Sequence, residues 1–347
     1  MENRPTSLPK YRITEPHMTP SIEVKQLVKK YSFYKKEPGL IGSIKSLFRR
    51  EKLYVEAVKG INFSIQPGEF VGFVGPNGAG KTTTLKMLSG ILYPTGGDVQ
   101  VLGYKPFERK AEFQKQFALV MGQKNQLWWD LPAMESFLLN KAIYEIPDEL
   151  FNKNLKELSE LLDIKDILDV QVRKLSLGQR MKCELVAALL HSPKVLFLDE
   201  PTIGLDVVSQ NAIREFLKTY NKEQGATIIL TSHYMQDIRR LCDRVIIIDH
   251  GALLYDGTYD ALHMQYSESK ILEFTLAQKV DVKEVEAFGK VLDIKDRTYS
   301  IRIPREKTAE ITGKILETFN VDDIVIHERD IEEIIGEIFT DRRVKRV

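Results

Sequence analysis

The chain lacks the features that would place it inside a membrane or staple it from outside. No run of about 18 apolar residues occurs in its 347 residues, so no segment is expected to span a bilayer. Only two cysteines are present, Cys183 and Cys242. They make no metal spacing and suggest no disulfide framework, which fits a reducing cytosol. A dominant charge sign is missing too: 50 Lys and Arg stand against 49 Asp and Glu, a net charge of +1. That balance removes any global electrostatic case for nucleic acid or a membrane surface. No apolar stretch follows the first charges, so no signal peptide is expected. Residues 1–20 carry Pro5, Pro9, Pro16 and Pro20 among polar residues and read as an irregular leader.

What is present is an alternation of strand-like and helix-like runs. Ile22 to Val28, Ala57 to Ile65 and Phe70 to Val74 read as strands. Val195 to Leu198, Thr227 to Leu230 and Val245 to Ile248 are short, continuous apolar runs of the fully buried kind. Residues 134–167 read as helices, with Leu155, Leu158, Leu161 and Leu162 at helical spacing. The alternation predicts an α/β core with a mostly parallel sheet. After about residue 268 the character changes. Tyr299 to Ile303 alternates as a half-exposed strand, Thr308 to Phe319 reads as a helix, and Asp323 to His327 as a strand. Ile331, Ile334, Ile335 and Ile338 follow one helix face. A small separate α+β appendage is expected there. Residues 34–56 form a basic insertion with Lys45, Arg49, Arg50 and Lys52. Leu40, Ile41, Ile44, Leu47 and Phe48 add an apolar stripe at helical spacing, suited to a membrane surface, a partner or its own domain.

The octapeptide Gly75-Pro76-Asn77-Gly78-Ala79-Gly80-Lys81-Thr82 carries the chemistry. It fits the phosphate-binding loop pattern, with a strand before it and the helix-like run Thr83 to Leu92 after it. Its glycines let successive N–H groups curl around an anion, and the helix start points at the phosphates. Lys81 would reach the β- and γ-phosphates, and the Thr82 hydroxyl would ligate Mg²⁺. Leu198-Asp199-Glu200-Pro201-Thr202 ends an apolar run. Asp199 can hold Mg²⁺ there, and Glu200 can take a proton from an attacking water.

Over residues 20–265 these segments, with five more, resemble the ATP-binding subunit of ABC transporters. Leu175-Ser176-Leu177-Gly178-Gln179 resembles the family's LSGGQ signature, with Leu177 in place of the first glycine. The resemblance implies that Ser176, Gly178 and Gln179, at the start of the signature helix through Leu190, close over the γ-phosphate of ATP on a second copy. Gln123 looks like the Q-loop glutamine that senses Mg²⁺ and the γ-phosphate, with Gln126 as its rival. His233 resembles the switch histidine. Gly204-Leu205-Asp206 resembles the D-loop at the dimer interface. Tyr31 looks like the aromatic that stacks on adenine, with Phe33 and Tyr34 as nearby competitors.

The resemblance implies a P-loop NTPase (RecA-like) α/β core with antiparallel β and helical subdomains, plus the C-terminal α+β appendage. The expected division is a leader over 1–20 and an ATP-binding domain over 21–268. The latter holds the 34–56 insertion and a helical subdomain over 125–180. An accessory domain covers 269–347. The expected activity is ATP hydrolysis with Mg²⁺ by Lys81, Thr82, Thr83, Gln123, Asp199, Glu200 and His233. Expected partners are a second copy and a separate permease, at the cytoplasmic face of the membrane. Bacterial exporter subunits for drugs and antibiotics, including a viologen exporter-like subgroup, are the nearest in pattern. The exported compound is not legible. Two rival classes are a soluble relative acting on nucleic acid or ribosomes and a regulator without hydrolysis. A single GKT motif and too few residues for a long coiled coil argue against the first. Glu200 and His233 argue against the second. Trp128 and Trp129 are expected at the permease, one as an anchor and the other in the helical subdomain's own core.

Overall fold

The computed structural model describes residues 19–34, 52–232, 235–266 and 269–328. Residues 1–18 of the leader, residues 35–51 of the basic insertion, His233 and the isoleucine face after 330 lie outside the described residues.

The central sheet has six strands in the order β5-β6-β7-β3-β8-β9. These are β5 (Phe117–Met121), β6 (Val195–Asp199), β7 (Thr227–Thr231), β3 (Phe70–Val74), β8 (Arg244–Asp249) and β9 (Ala252–Thr258). The first five run parallel, and β9 returns antiparallel on the edge. Every residue of β3 and β7 is buried, as continuous apolar strands covered on both faces require. Alternate residues serve two cores. Phe70, Leu196, Leu198, Ile228 and Leu230 join the helical side of the sheet. Val71, Phe73, Val195, Phe197 and Ile229 join the other side. The period of two along each strand thus makes one sheet the shared wall of two cores.

On that second side lies an antiparallel three-stranded sheet, ordered β2-β1-β4. Its strands are β1 (Ile22–Tyr34), β2 (Lys52–Ile65) and β4 (Gly96–Val101). Here the sequence reading needs correction. The first strand does not stop at Val28, and the second does not start at Ala57. Tyr34 pairs with Lys52, Phe33 with Leu53 and Tyr31 with Val55. Aromatic and β-branched residues continue the ladder. Residues 52–56 are therefore strand, and Tyr34 ends one.

On the helical side stand the helices Ala133–Tyr144, Asp148–Leu161 and Leu177–Leu189. Leu158 and Leu162 are buried, and Leu161 is exposed. The expected boundary at residue 180 cuts through the third helix, which runs on against β5. The helix after the phosphate loop is shorter than expected, Lys81–Leu88. Gly90, at φ 73°, closes it by donating its N–H to the Met87 carbonyl.

The C-terminal segment builds its own sheet, ordered β11-β12-β10-β13 and antiparallel throughout. Its strands are β10 (Ser269–Leu276), β11 (Lys290–Lys295), β12 (Thr298–Pro304) and β13 (Val321–Glu328). Helices Val282–Glu286 and Thr308–Thr318 connect them in a βαββαβ order, the split arrangement of ferredoxin-like units. Leu272, Phe274, Leu276, Tyr299, Ile301 and Ile303 form one face, covered by Val285 and Ile315. That core is separate from the two others.

Candidate functional site

The five parallel strands end at one edge of the central sheet, and the ends of β3, β5, β6 and β7 carry the polar groups. The phosphate loop leaves β3 there. Gly75 has no room for a side chain: a Cβ would sit 2.2 Å from the Ile248 carbonyl oxygen. Gly78 and Gly80 take φ of 80° and 113°, which L side chains rarely adopt. A Cβ on Gly80 would also lie 2.5 Å from the Ala57 oxygen, so the loop seats tightly on β2. Gly80 is the N-cap of helix Lys81–Leu88 and supplies no side-chain oxygen to it. The first-turn N–H groups therefore remain open to an anion. Asn77 and Gly78 form the exposed crest after half-buried Pro76, while Ala79 is buried and Thr83 half-buried.

Lys81 is 5% exposed and folds back across its own loop. Its ammonium donates to the carbonyls of Gly75 at 2.5 Å and Pro76 at 3.2 Å. Burial pulls its pKa below the ordinary value, and the charges of Glu200 and Asp199 oppose that shift. The Thr82 hydroxyl donates to Asp199 Oδ2 at 2.8 Å, and Thr231 at the end of β7 donates to Oδ1 at 2.7 Å.

Glu200 follows β6 at φ 57°, the left-handed region. A non-glycine residue there costs on the order of 1–2 kcal/mol, a strain that clusters at functional sites. Its backbone N–H holds the turn by donating to the Thr231 carbonyl at 3.0 Å and hydroxyl at 3.1 Å. The Gln123 amide donates to Glu200 Oε2 at 3.2 Å. Gly122 makes this approach feasible, because a Cβ on it would lie 2.1 Å from the Glu200 oxygen. Register places the two glutamines apart. Met121 pairs with Asp199, which places Gln123 beside Glu200. Gln126 instead turns back to the Leu119 carbonyl.

The donor set suits a hard divalent cation. Thr82, Asp199, Gln123 and Glu200 offer oxygens only, and Mg²⁺ is commonly held by one or two carboxylates with substrate phosphates. No group of three or more ligating His, Cys, Asp or Glu occurs among the described residues.

The other sequence-derived residues are distributed as follows. Ser176 caps helix Leu177–Leu189 in a reciprocal capping box. Its hydroxyl accepts from the Gln179 N–H, and Gln179 Oε1 accepts from the Ser176 N–H. Gly178 is buried, and a Cβ there would meet Ser209 Oγ at 2.2 Å. Leu177, the departure from the signature, packs toward Gly204. Gly204 and Asp206 are exposed, whereas Leu205 is buried in its own chain. Asp206 caps the next helix, accepting from the Ser209 N–H and hydroxyl, which lowers its pKa. Tyr31 is 40% exposed on β1, with the Lys29 ammonium 5.3 Å from its ring. Its partner Val55 lies two residues from Ala57, on which the phosphate loop rests.

The expectation that one tryptophan fills a core fails. Trp128 is 51% and Trp129 45% exposed, and Leu127, at 5%, fills the core in their place. The sequence reading missed Thr231, Gly122 and a buried network around Asp237. Asp237 is fully buried and accepts from Arg214, Thr202 and Ser232. Only the segment Thr231-Ser232 before His233 hinted at the first of these.

Comparison with known proteins agrees with this geometry. Residues 58–203 match the family model described as ABC transporter. The chain is 33% identical over 233 residues to the ABC transporter ATP-binding protein NatA of Bacillus subtilis (strain 168), covering 67% of this chain and 94% of that protein. The chain belongs to the ATP-binding proteins of ABC transporters. This ABC ATPase is also similar to the linearmycin resistance ATP-binding protein LnrL of the same organism. There the identity is 36%, over 63% of this chain and 70% of the relative. With the bacitracin transport ATP-binding protein BcrA of Bacillus licheniformis the identity is 34%, over 65% and 71%. Residues 268–327 match the model described as EvrA-like ABC transporter, C-terminal domain. Among solved structures, an ATP binding subunit of an ABC transporter superposes with a TM-score of 0.59 at 24% identity. It covers 77% of this ABC ATPase and 98% of that chain, a likeness of fold. No helix among the described residues is long and apolar enough to cross a membrane.

Proposed function

We propose that two copies of this ABC ATPase sandwich two Mg-ATP molecules and hydrolyse them to power a separate export permease at the cytoplasmic membrane face. The observation that carries this reading is the junction of Thr82, Asp199, Gln123 and Glu200 beside the buried Lys81. Gly75 to Thr83 cradle the phosphates, and Lys81 neutralises the β- and γ-phosphates. Tyr31 offers its exposed ring to adenine. Thr82 and Asp199, with Gln123 beside them, would hold Mg²⁺, which when bound offsets the charge of the transferring phosphoryl group. Glu200 orients the attacking water and takes its proton. His233, next in sequence after the buried Ser232, would serve as the switch histidine for the γ-phosphate. Ser176, Gly178 and Gln179 of the second copy close the other side, and Gly204-Leu205-Asp206 lies along the seam.

Relatives named for linearmycin resistance and bacitracin transport favour an exporter of organic compounds. The permease would choose the compound. Hydrolysis without permease is expected to rise more than linearly with subunit concentration, because one site needs two copies. Steady-state rates over a dilution series check this, and a strictly linear rate contradicts the sandwich.

Exposed Trp128 and Trp129 suit a permease helix, since large aromatic anchors dominate interface energetics. Truncating either to alanine is expected to weaken copurification with the permease by about 2 kcal/mol. Soluble hydrolysis of the Trp128→Ala chain should stay within about twofold, as that ring takes no part in holding the nucleotide residues. Undiminished copurification of both variants would move the docking surface elsewhere.

The segment beyond residue 268 is read as an accessory domain, supported by its separate sheet and core. A chain ending at Tyr266 is expected to bind ATP with the parent affinity in equilibrium titrations. A folded truncation that binds none would place part of the site in the C-terminal unit.

A further inference from the structure

The helix Leu177–Leu189 carries a carboxylate that the nucleotide chemistry does not use. Glu184 is 3% exposed. Its Oε1 accepts from the Gln126 N–H at 2.8 Å and the Leu127 N–H at 3.3 Å. Its Oε2 is buried and has no hydrogen-bond partner among the described residues. Burial pushes its pKa above the ordinary carboxylate value, against the pull of the two N–H groups and Arg180. A buried carboxylate is costly unless its environment holds it. Here the holding groups are the backbone of one short segment.

One turn earlier on the same helix face, the Arg180 guanidinium lies over the Trp129 ring, 5.2 Å from its centroid. One helix thus grips Gln126, Leu127 and Trp129 from a single face. The gripped segment begins three residues after Gln123, whose amide donates to Glu200. The gripping helix begins at Ser176, eight residues before Glu184, about 12 Å along a stiff rod at 1.5 Å per residue. Glu184 therefore stands between the residue that faces this chain's own nucleotide and the cap that faces the second copy's.

We propose that Glu184 is a positioning residue: it fastens the segment after Gln123 to the signature helix, so that nucleotide seated at Gln123 sets where Ser176 stands. This rests on the two-copy ATPase reading. The apolar alternative, that Glu184 only fills space, does not account for an acceptor aimed at two consecutive N–H groups.

Trp128 and Trp129 are the chain's only two tryptophans, so intrinsic fluorescence reports on the gripped segment. The experiment compares the full chain with Glu184→Ala and Glu184→Gln for ATP affinity, hydrolysis and ATP-induced tryptophan emission change. Glu184→Ala is expected to keep ATP affinity within about threefold. It should lose tenfold or more in kcat, inside the roughly 10²-fold that small misplacements cost. It should also lose most of the emission change. Glu184→Gln keeps an acceptor oxygen and is expected to recover both. An alanine variant with the parent kcat and emission change overturns the proposal. So does one whose ATP affinity falls as far as its kcat. Should Glu184→Ala not fold, Arg180→Ala breaks the second grip. It is expected to show the same split at smaller size, and parent behaviour there overturns the proposal. A parent chain that hydrolyses no ATP at any concentration removes the ATPase reading itself, and the fastening with it.

Discussion

Glu200→Gln is expected to lower kcat for ATP hydrolysis by about 10²–10⁴-fold, the range that a positioned general base supplies. That corresponds to roughly 2.7–5.4 kcal/mol of barrier at 1.36 kcal/mol per decade. The substitution is nearly isosteric. Its amide oxygen can still accept from the Gln123 amide, as Glu200 Oε2 does at 3.2 Å. The backbone N–H that anchors the turn to Thr231 is untouched. What disappears is the capacity to take a proton. ATP affinity should therefore stay within about threefold, and one fewer negative charge near Lys81 favours nucleotide phosphate if anything. The variant should accumulate as an ATP-bound dimer, visible as a larger species in size-exclusion chromatography with ATP. Single-turnover hydrolysis at the parent rate would take Glu200 out of the base role. A variant that binds no ATP would show that the side chain supports the loop and not the water.

The candidate site was legible where its residues are neighbours in sequence. The phosphate loop is one octapeptide, and its backbone demands leave glycines at fixed places. Asp199 and Glu200 are adjacent and follow an apolar strand. Ser176 and Gln179 are a capping box three residues apart. Residues brought in by pairing between distant strands were not legible. Thr231 meets Asp199 because β7 lies beside β6, and its one local mark is its place two residues before His233. Gly122 is required by the Glu200 carbonyl, which approaches only once β5 and β6 are in register. The same register separates Gln123 from Gln126. The tryptophans were misread because composition gives apolar area but not direction. Leu127, the residue before them, takes the inward position. Strands β1 and β2 were read too short because exposed aromatics such as Tyr31, Phe33 and Tyr54 extend a ladder that burial does not reveal.

Asp237→Ala is expected to lower the unfolding free energy by about 3–5 kcal/mol, the cost of breaking a buried ion pair by removing one partner. Asp237 is fully buried and Arg214 only 3% exposed. Asp237 Oδ1 takes the Arg214 guanidinium at 2.5 Å, and Oδ2 takes the hydroxyls of Thr202 and Ser232, each at 2.6 Å. Alanine would leave a buried cation and two buried hydroxyls without their acceptor. Arg214 keeps bonds to Asn211 and Gln210, but these are neutral and do not offset its charge. Asp237→Asn should cost less, since its amide oxygen in the place of Oδ2 still accepts from both hydroxyls. Replacing Arg214 and Asp237 together by leucine should recover part of the loss, because a well-packed apolar pair carries no desolvation penalty. Denaturant midpoints for the three variants check the order. The effect should also reach hydrolysis. Thr202 lies two residues after Glu200, and Ser232 directly precedes His233, so one carboxylate ties together the backbone behind both. A folded Asp237→Asn chain should therefore lose kcat more than ATP affinity. If Asp237→Ala unfolds within about 1 kcal/mol of the parent, the network contributes no more than an exposed pair would.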